Sequence, residues 1–209
     1  MENYTDTEYR ILGSLLRNPV DSRSLNQVSK DTRLSYVTVH KLVPILNRRK
    51  LIRLEIKGKS HLISIDFDNA DIESLSSAML YQKNIFMRKN IKIYLLNRDI
   101  SESLSGRFYI LMLFGSYAKG KQKENSDIDL LFIIPDRKSI DEYMENIERV
   151  FMLYPHIKKD FKIVSVKDFE DMLNQKYTVG REIFKNSLVL FGTEHYYAMV
   201  KKYVRTKGY

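Results

Sequence analysis

The amino-acid sequence predicts an α+β chain: helices followed by a hairpin, then a helical linker, then a mixed sheet flanked by helices. Three observations carry that expectation. Apolar residues recur at helical spacing from Tyr4 to Arg49 and then alternate from Leu51 to Phe67. The stretch 69–105 keeps a helical pattern throughout. Beyond it, short apolar runs of strand length alternate with amphipathic segments, as layered sheets and helices require. The expected division is 1–68, 69–105 and 106–209.

The elements follow in order. Tyr9, Ile11, Leu12, Leu15 and Leu16 share one helical face, and Asn18-Pro19 stops that helix. Ser24 is placed to cap a short second helix carrying Leu25 and Val28, and Ser35 to cap a third carrying Val39, Leu42, Val43 and Leu46. Pro44 falls inside the third helix and predicts a kink. Leu51 to Ile56 and His61 to Phe67 read as strands joined by Lys57-Gly58-Lys59-Ser60, a polar glycine-bearing joint typical of a hairpin. Asp71 and Ile72 open the linker helix, which is expected to break near Asn97. In the last zone Tyr109 to Phe114, Ile128 to Ile134 and Phe161 to Val166 read as strands. Ser139 to Leu153 reads as an amphipathic helix, with further helices around 168–173, 179–187 and 194–207.

Composition narrows the function classes. Hydrophobic residues make up 44% of the chain and charged residues 29%, which suits a packed core and excludes a disordered chain. The formal net charge of +9 favours anionic partners through the long-range field. The chain contains no cysteine, so disulfides, thiol catalysis and thiolate metal sites are excluded, and a cytoplasmic setting is expected. The N-terminal MENYTDTEYR has no basic stretch leading into an apolar run, so no signal peptide is expected. No stretch approaches the roughly 18 apolar residues of a membrane span, so no membrane partner is expected.

The chemistry concentrates in the last zone. Leu113-Phe114-Gly115-Ser116-Tyr117-Ala118-Lys119-Gly120 leads through a polar loop into Asn125-Ser126-Asp127-Ile128-Asp129-Leu130. Gly115 at a strand end lets backbone approach a phosphate, and a helix starting there would point free N–H groups at it, with the Ser116 hydroxyl as a further donor. Lys119, one turn along, adds positive charge. Asp127 and Asp129 are two apart in a strand and so project from one face. Two such carboxylates repel unless a cation lies between them, and Mg²⁺ suits carboxylates that share it with phosphate oxygens.

This pattern, Gly-Ser, then Gly, then Ser-Asp-Ile-Asp-Leu, resembles the signature of the polymerase-beta-like nucleotidyltransferases, especially the minimal ones. The resemblance implies a nucleotidyltransferase fold over roughly half the chain. It also implies transfer of a nucleoside monophosphate from a triphosphate, ATP above all, to an acceptor hydroxyl on a protein or RNA, with Mg²⁺ or Mn²⁺. Gly115, Ser116 and Lys119 would then bind nucleotide, while Asp127 and Asp129 would hold metal and carry catalysis. The family usually has a third carboxylate on a later strand. Asp160 fits that place, either as the third catalytic metal ligand or as an acid that merely opens the strand. Asp160, Lys162 and Val164 would share one strand face, and a lysine there departs from the family pattern because it competes with the cation. Some minimal members act in toxin–antitoxin pairs. Asp168 and Glu170 are expected to cap the next helix and face solvent, and His156 and His195 to serve packing or surface.

The first zone, three helices and a hairpin, looks like a winged helix-turn-helix domain, which implies double-stranded DNA as a partner, or else a protein-interaction module. Tyr36, Thr38, His40 and Lys41 on the third helix would face the major groove, and Lys57 and Lys59 at the hairpin tip would meet the backbone. A homodimer would suit a two-fold DNA site. From another class comes a transcription regulator whose transferase-like fold serves as a non-catalytic nucleotide sensor or dimerisation platform.

Overall fold

In the computed structural model, residues 4–58, 60–174 and 179–207 are described. They divide into two compact units, Met1–Gln82 with Glu194–Tyr209, and Lys83–Thr193.

In the first unit α1 (Asp6–Leu16) opens on a capping box, with Thr5 and Glu8 exchanging side-chain and backbone hydrogen bonds. A two-residue strand β1 (Arg23–Ser24) precedes α2 (Leu25–Thr32), which Ser24 and Gln27 cap in the same reciprocal way. α3 (Tyr36–Arg48) is capped by Ser35 and runs on through Pro44. Strands β2 (Ile52–Lys57) and β3 (Ser60–Ile65) form the hairpin, and β1 adds to β3, giving an antiparallel sheet of order β1-β3-β2. Ile11, Leu12, Val28, Val39, Leu46 and Ile63 are fully buried, so the predicted apolar stripes are the core. α4 (Ile72–Lys89) starts where the Asp71 carboxylate accepts from the Ser74 N–H at 2.7 Å.

The linker helix breaks at Asn90 and not near Asn97. Asn90 leaves helical backbone, with φ −131° and ψ 66°, and its amide donates to the Phe86 carbonyl at 2.8 Å. Asn97 lies inside α5 (Ile91–Ser103).

In the second unit β4 (Ile110–Phe114), the single turn α6 (Gly115–Ala118), β5 (Ile128–Ile134), α7 (Ile140–Met152), β6 (Lys159–Ser165), α8 (Val166–Asn174), α9 (Val179–Lys185) and β7 (Leu188–Phe191) succeed one another. The sheet has order β6-β5-β4-β7, with β5 and β6 parallel and the other pairs antiparallel. β5 is buried on both faces, which explains its unbroken apolar run. Its core is mainly aliphatic, and rings pack along it: Tyr109 stacks on Phe191 at 4.2 Å, Phe132 meets Phe161 edge-on, and Phe161 meets Phe151 edge-on at 4.9 Å. Ser165 and Asp168 form the reciprocal cap that starts α8. The last helix, α10 (Thr193–Lys207), packs mainly in the first unit, where Tyr197 is fully buried. Among the described residues no helix is long and apolar enough to cross a membrane.

Candidate active site

Strand pairing brings the expected acids together. Across the parallel pair β5 and β6, Asp129 stands opposite Asp160, and across the antiparallel pair β4 and β5 it stands opposite Phe114. Side chains opposite one another on neighbouring strands project from the same face. Asp160 therefore shares the Asp129 face, and Asp127, just before β5 begins, is close enough for its charge to act on Asp129. Asp127 and Asp160 are exposed, while Asp129 between them is partly buried.

The electrostatics report the same neighbourhood. Burial, first, and then the charges of Asp160 and Asp127 push the Asp129 carboxyl above the usual carboxylate range, while Lys162 pulls it back. None of the three acids accepts a hydrogen bond or an ion pair from the described residues. Crowded carboxylates without donors are a charge imbalance that a cation would relieve.

Gly115 makes room for the central acid. Its φ is +70°, and a Cβ added there would lie 1.8 Å from Asp129 Oδ2 and 2.8 Å from Asp129 Cγ. No side chain fits that gap. The residue read from sequence as a phosphate approach thus also leaves space for the Asp129 carboxylate. Ser116, next to it, is partly exposed on the single turn α6. Lys119 is that turn's C-cap and is exposed. The loop that follows is closed by Ser126, whose hydroxyl accepts from the Lys123 N–H at 2.8 Å.

The donor set fits a hard divalent cation: carboxylate oxygens alone, on adjacent strands, beside a turn with backbone N–H groups. Among the described residues no group of three His, Asp or Glu side chains stands in a ready coordination arrangement. Lys162 is the residue whose place in this cluster the strand pattern alone left unexplained. It lies one same-face step beyond Asp160, and Leu131 is its partner on β5.

On the first unit, Tyr36, Val37, His40 and Lys41 point outward on α3, with Tyr36 45% and Val37 61% exposed. Thr38 takes part in the cap: its N–H donates to Ser35 Oγ at 3.0 Å and its hydroxyl shares a 2.7 Å hydrogen bond with the same oxygen. Lys57 is exposed and paired with Glu55 at 3.2 Å, and Lys59 lies outside the described residues. The His61 ring on β3 lies against that of His40, with centroids 6.1 Å apart, extending a ring series from Tyr36. No periodicity in the sequence could link His61 to α3, because hairpin folding makes that contact. Arg49, at the far end of α3, is turned back onto buried Glu8 at 2.9 Å.

Residues 98–195 match the family described as Polymerase beta, Nucleotidyltransferase, which supports a nucleotidyltransferase domain of that type over this stretch. Neither the curated proteins nor the solved structures yield a match.

Proposed function

We propose that the protein transfers a nucleoside monophosphate from a nucleoside triphosphate, with ATP the expected donor, to an acceptor hydroxyl on a protein or RNA. The observation that carries this reading is Asp129, flanked by Asp127 and Asp160 and seated over the Cα of Gly115 at the end of β4. Asp127, Asp129 and Asp160 would hold Mg²⁺ or Mn²⁺. That ion, when bound, would neutralise charge developing on the phosphates and lower the pKa of the attacking hydroxyl.

The chain's own residues do the rest. Gly115 and Ser116 receive the triphosphate through backbone N–H groups and the Ser116 hydroxyl, and Lys119 adds positive charge close by. The acceptor oxygen bonds to the α-phosphorus in line as the bond to pyrophosphate breaks, and the hydroxyl proton passes to one of the carboxylates.

Incubation with labelled ATP, CTP, GTP and UTP, followed by detection of transferred label and pyrophosphate, tests the reading. Asp127→Ala and Asp129→Ala are each expected to cut transfer by more than about a hundredfold, beyond the loss of an outer-shell metal partner, with an unchanged circular dichroism spectrum. Transfer persisting in the double variant would remove these acids from the chemistry. Nucleotide binding that alters DNA affinity with no covalent product would instead support the sensor.

The first unit is proposed to be a winged helix that binds double-stranded DNA. Its element order, its outward α3 face of Tyr36, His40 and Lys41, and Lys57 near the hairpin tip support that role.

A further inference from the structure

β6 is an edge strand of the sheet, and it presents Asp160, Lys162 and Val164 on the face that carries Asp129. The register runs Asp129 with Asp160, then, one same-face step on, Leu131 with Lys162. Leu131 is fully buried while Lys162 is exposed, so the ammonium stands at the open margin of the acid cluster. The Lys162 ammonium makes no hydrogen bond or ion pair with the described residues, although its charge is felt at Asp129. A lysine so placed repels any cation the acids attract. Its charge eases the repulsion among the acids but weakens their hold on a cation, unless the same site also takes an anionic ligand that the ammonium can meet.

We propose that Lys162 is a phosphate-binding residue of this site, holding the triphosphate from the β6 side of the acids while the Gly115-Ser116 turn holds it from the β4 side. The inference rests on the transferase reading of the same site. The strand order supports it: β4 with its turn, β5 with Asp129 and β6 with Lys162 are successive neighbours, so the two phosphate contacts flank the central acid. A lysine ammonium is a compact point charge that serves a polyphosphate without a fixed fork geometry.

The test uses the full chain and two binding measurements without acceptor: Mn²⁺ alone, and each nucleoside triphosphate with Mg²⁺. Lys162→Met is expected to bind triphosphate at least about tenfold more weakly, as loss of a charged hydrogen bond implies. The same variant is expected to bind Mn²⁺ more tightly, because a repelling charge is gone. Lys162→Arg is expected to keep most of the triphosphate affinity. Opposite movements of the two affinities, with an unchanged circular dichroism spectrum, separate a phosphate contact from a structural role. Triphosphate affinity in Lys162→Met equal to or tighter than wild type, in a protein that does bind triphosphate, overturns this inference alone. A wild-type chain that binds no triphosphate overturns the transferase reading together with it.

Discussion

At the scale of single residues the site depends on a missing Cβ. Gly115 has a left-handed φ of +70° and leaves a gap that Asp129 Oδ2 fills. Gly115→Ala therefore carries two penalties. The backbone conformation costs an L residue about 1–3 kcal/mol, and the new methyl would overlap the carboxylate and push Asp129 from its place opposite Asp160. We expect the substitution to lower stability to urea by at least that amount and to reduce triphosphate binding as severely as Asp129→Ala. Wild-type affinity in Gly115→Ala would show that the central acid need not sit where it does. At this scale residue type and spacing are what the sequence shows, and they single out Gly115, Ser116, Asp127 and Asp129 as candidates. The contact between Gly115 and Asp129 is not legible, because strand pairing brings together residues fourteen apart in sequence. The same holds for His40 with His61.

At the scale of elements, local signals that concern a few neighbouring residues were readable and those that depend on tertiary packing were not. Ser24 and Ser35 cap the helices they were expected to cap, and β5 spans the whole of its apolar run. The two-residue β1 has no periodicity to detect, and it exists because β3 offers it an edge. Asn90 and Asn97 look alike as helix breakers, yet α4 ends where the Asn90 amide donates to the Phe86 carbonyl, and Asn97 stays within α5. The turn after β3 shows how much one side chain can organise. Asp66, 6% exposed, accepts from Arg53 Nε at 3.2 Å, Asn69 Nδ2 at 2.8 Å and the N–H groups of Asp68 and Asn69. Burial alone would raise its pKa, but the Asn69 amide, the Arg53 charge and the two N–H groups together hold it below the ordinary carboxylate value. A depressed folded pKa contributes stability that is present above the unfolded value of about 3.9 and is lost as pH falls through the folded value. Asp66→Asn is thus expected to cost about 1–2 kcal/mol at neutral pH, as loss of a charged hydrogen-bond acceptor does. Its disadvantage should shrink as pH falls below about 4. Urea unfolding at pH 7 and pH 3 checks both, and a penalty that stays constant with pH would rule out the charged form as its cause.

At the scale of the whole molecule, the chain returns to its beginning. α10 follows the second sheet in sequence, yet its side chains serve the first unit: Tyr197 Oη donates to the Leu16 carbonyl at 3.4 Å, Lys201 Nζ to the Ala70 carbonyl at 2.6 Å and Arg205 to the Asp68 carbonyl at 2.7 Å. Such a return cannot be read from periodicity, since an amphipathic helix does not say which surface it will cover. The excess positive charge also belongs to this scale. A field of +9 draws in polyanions of every kind, so binding to DNA by itself would not distinguish a reading surface from general attraction. Salt dependence and position do distinguish them. If α3 and the hairpin engage a duplex, each phosphate neutralised contributes about −0.9 to the slope of log affinity against log salt. Lys41→Glu and Lys57→Glu are then expected to weaken binding of the full chain to a random-sequence duplex and to flatten that slope by about one unit each. Reversal of an equally exposed lysine on the second unit, such as Lys158, should leave the slope unchanged. Equal flattening by all three substitutions would mean that the duplex responds to total charge, and the α3 face would lose its claim to be a nucleic-acid interface.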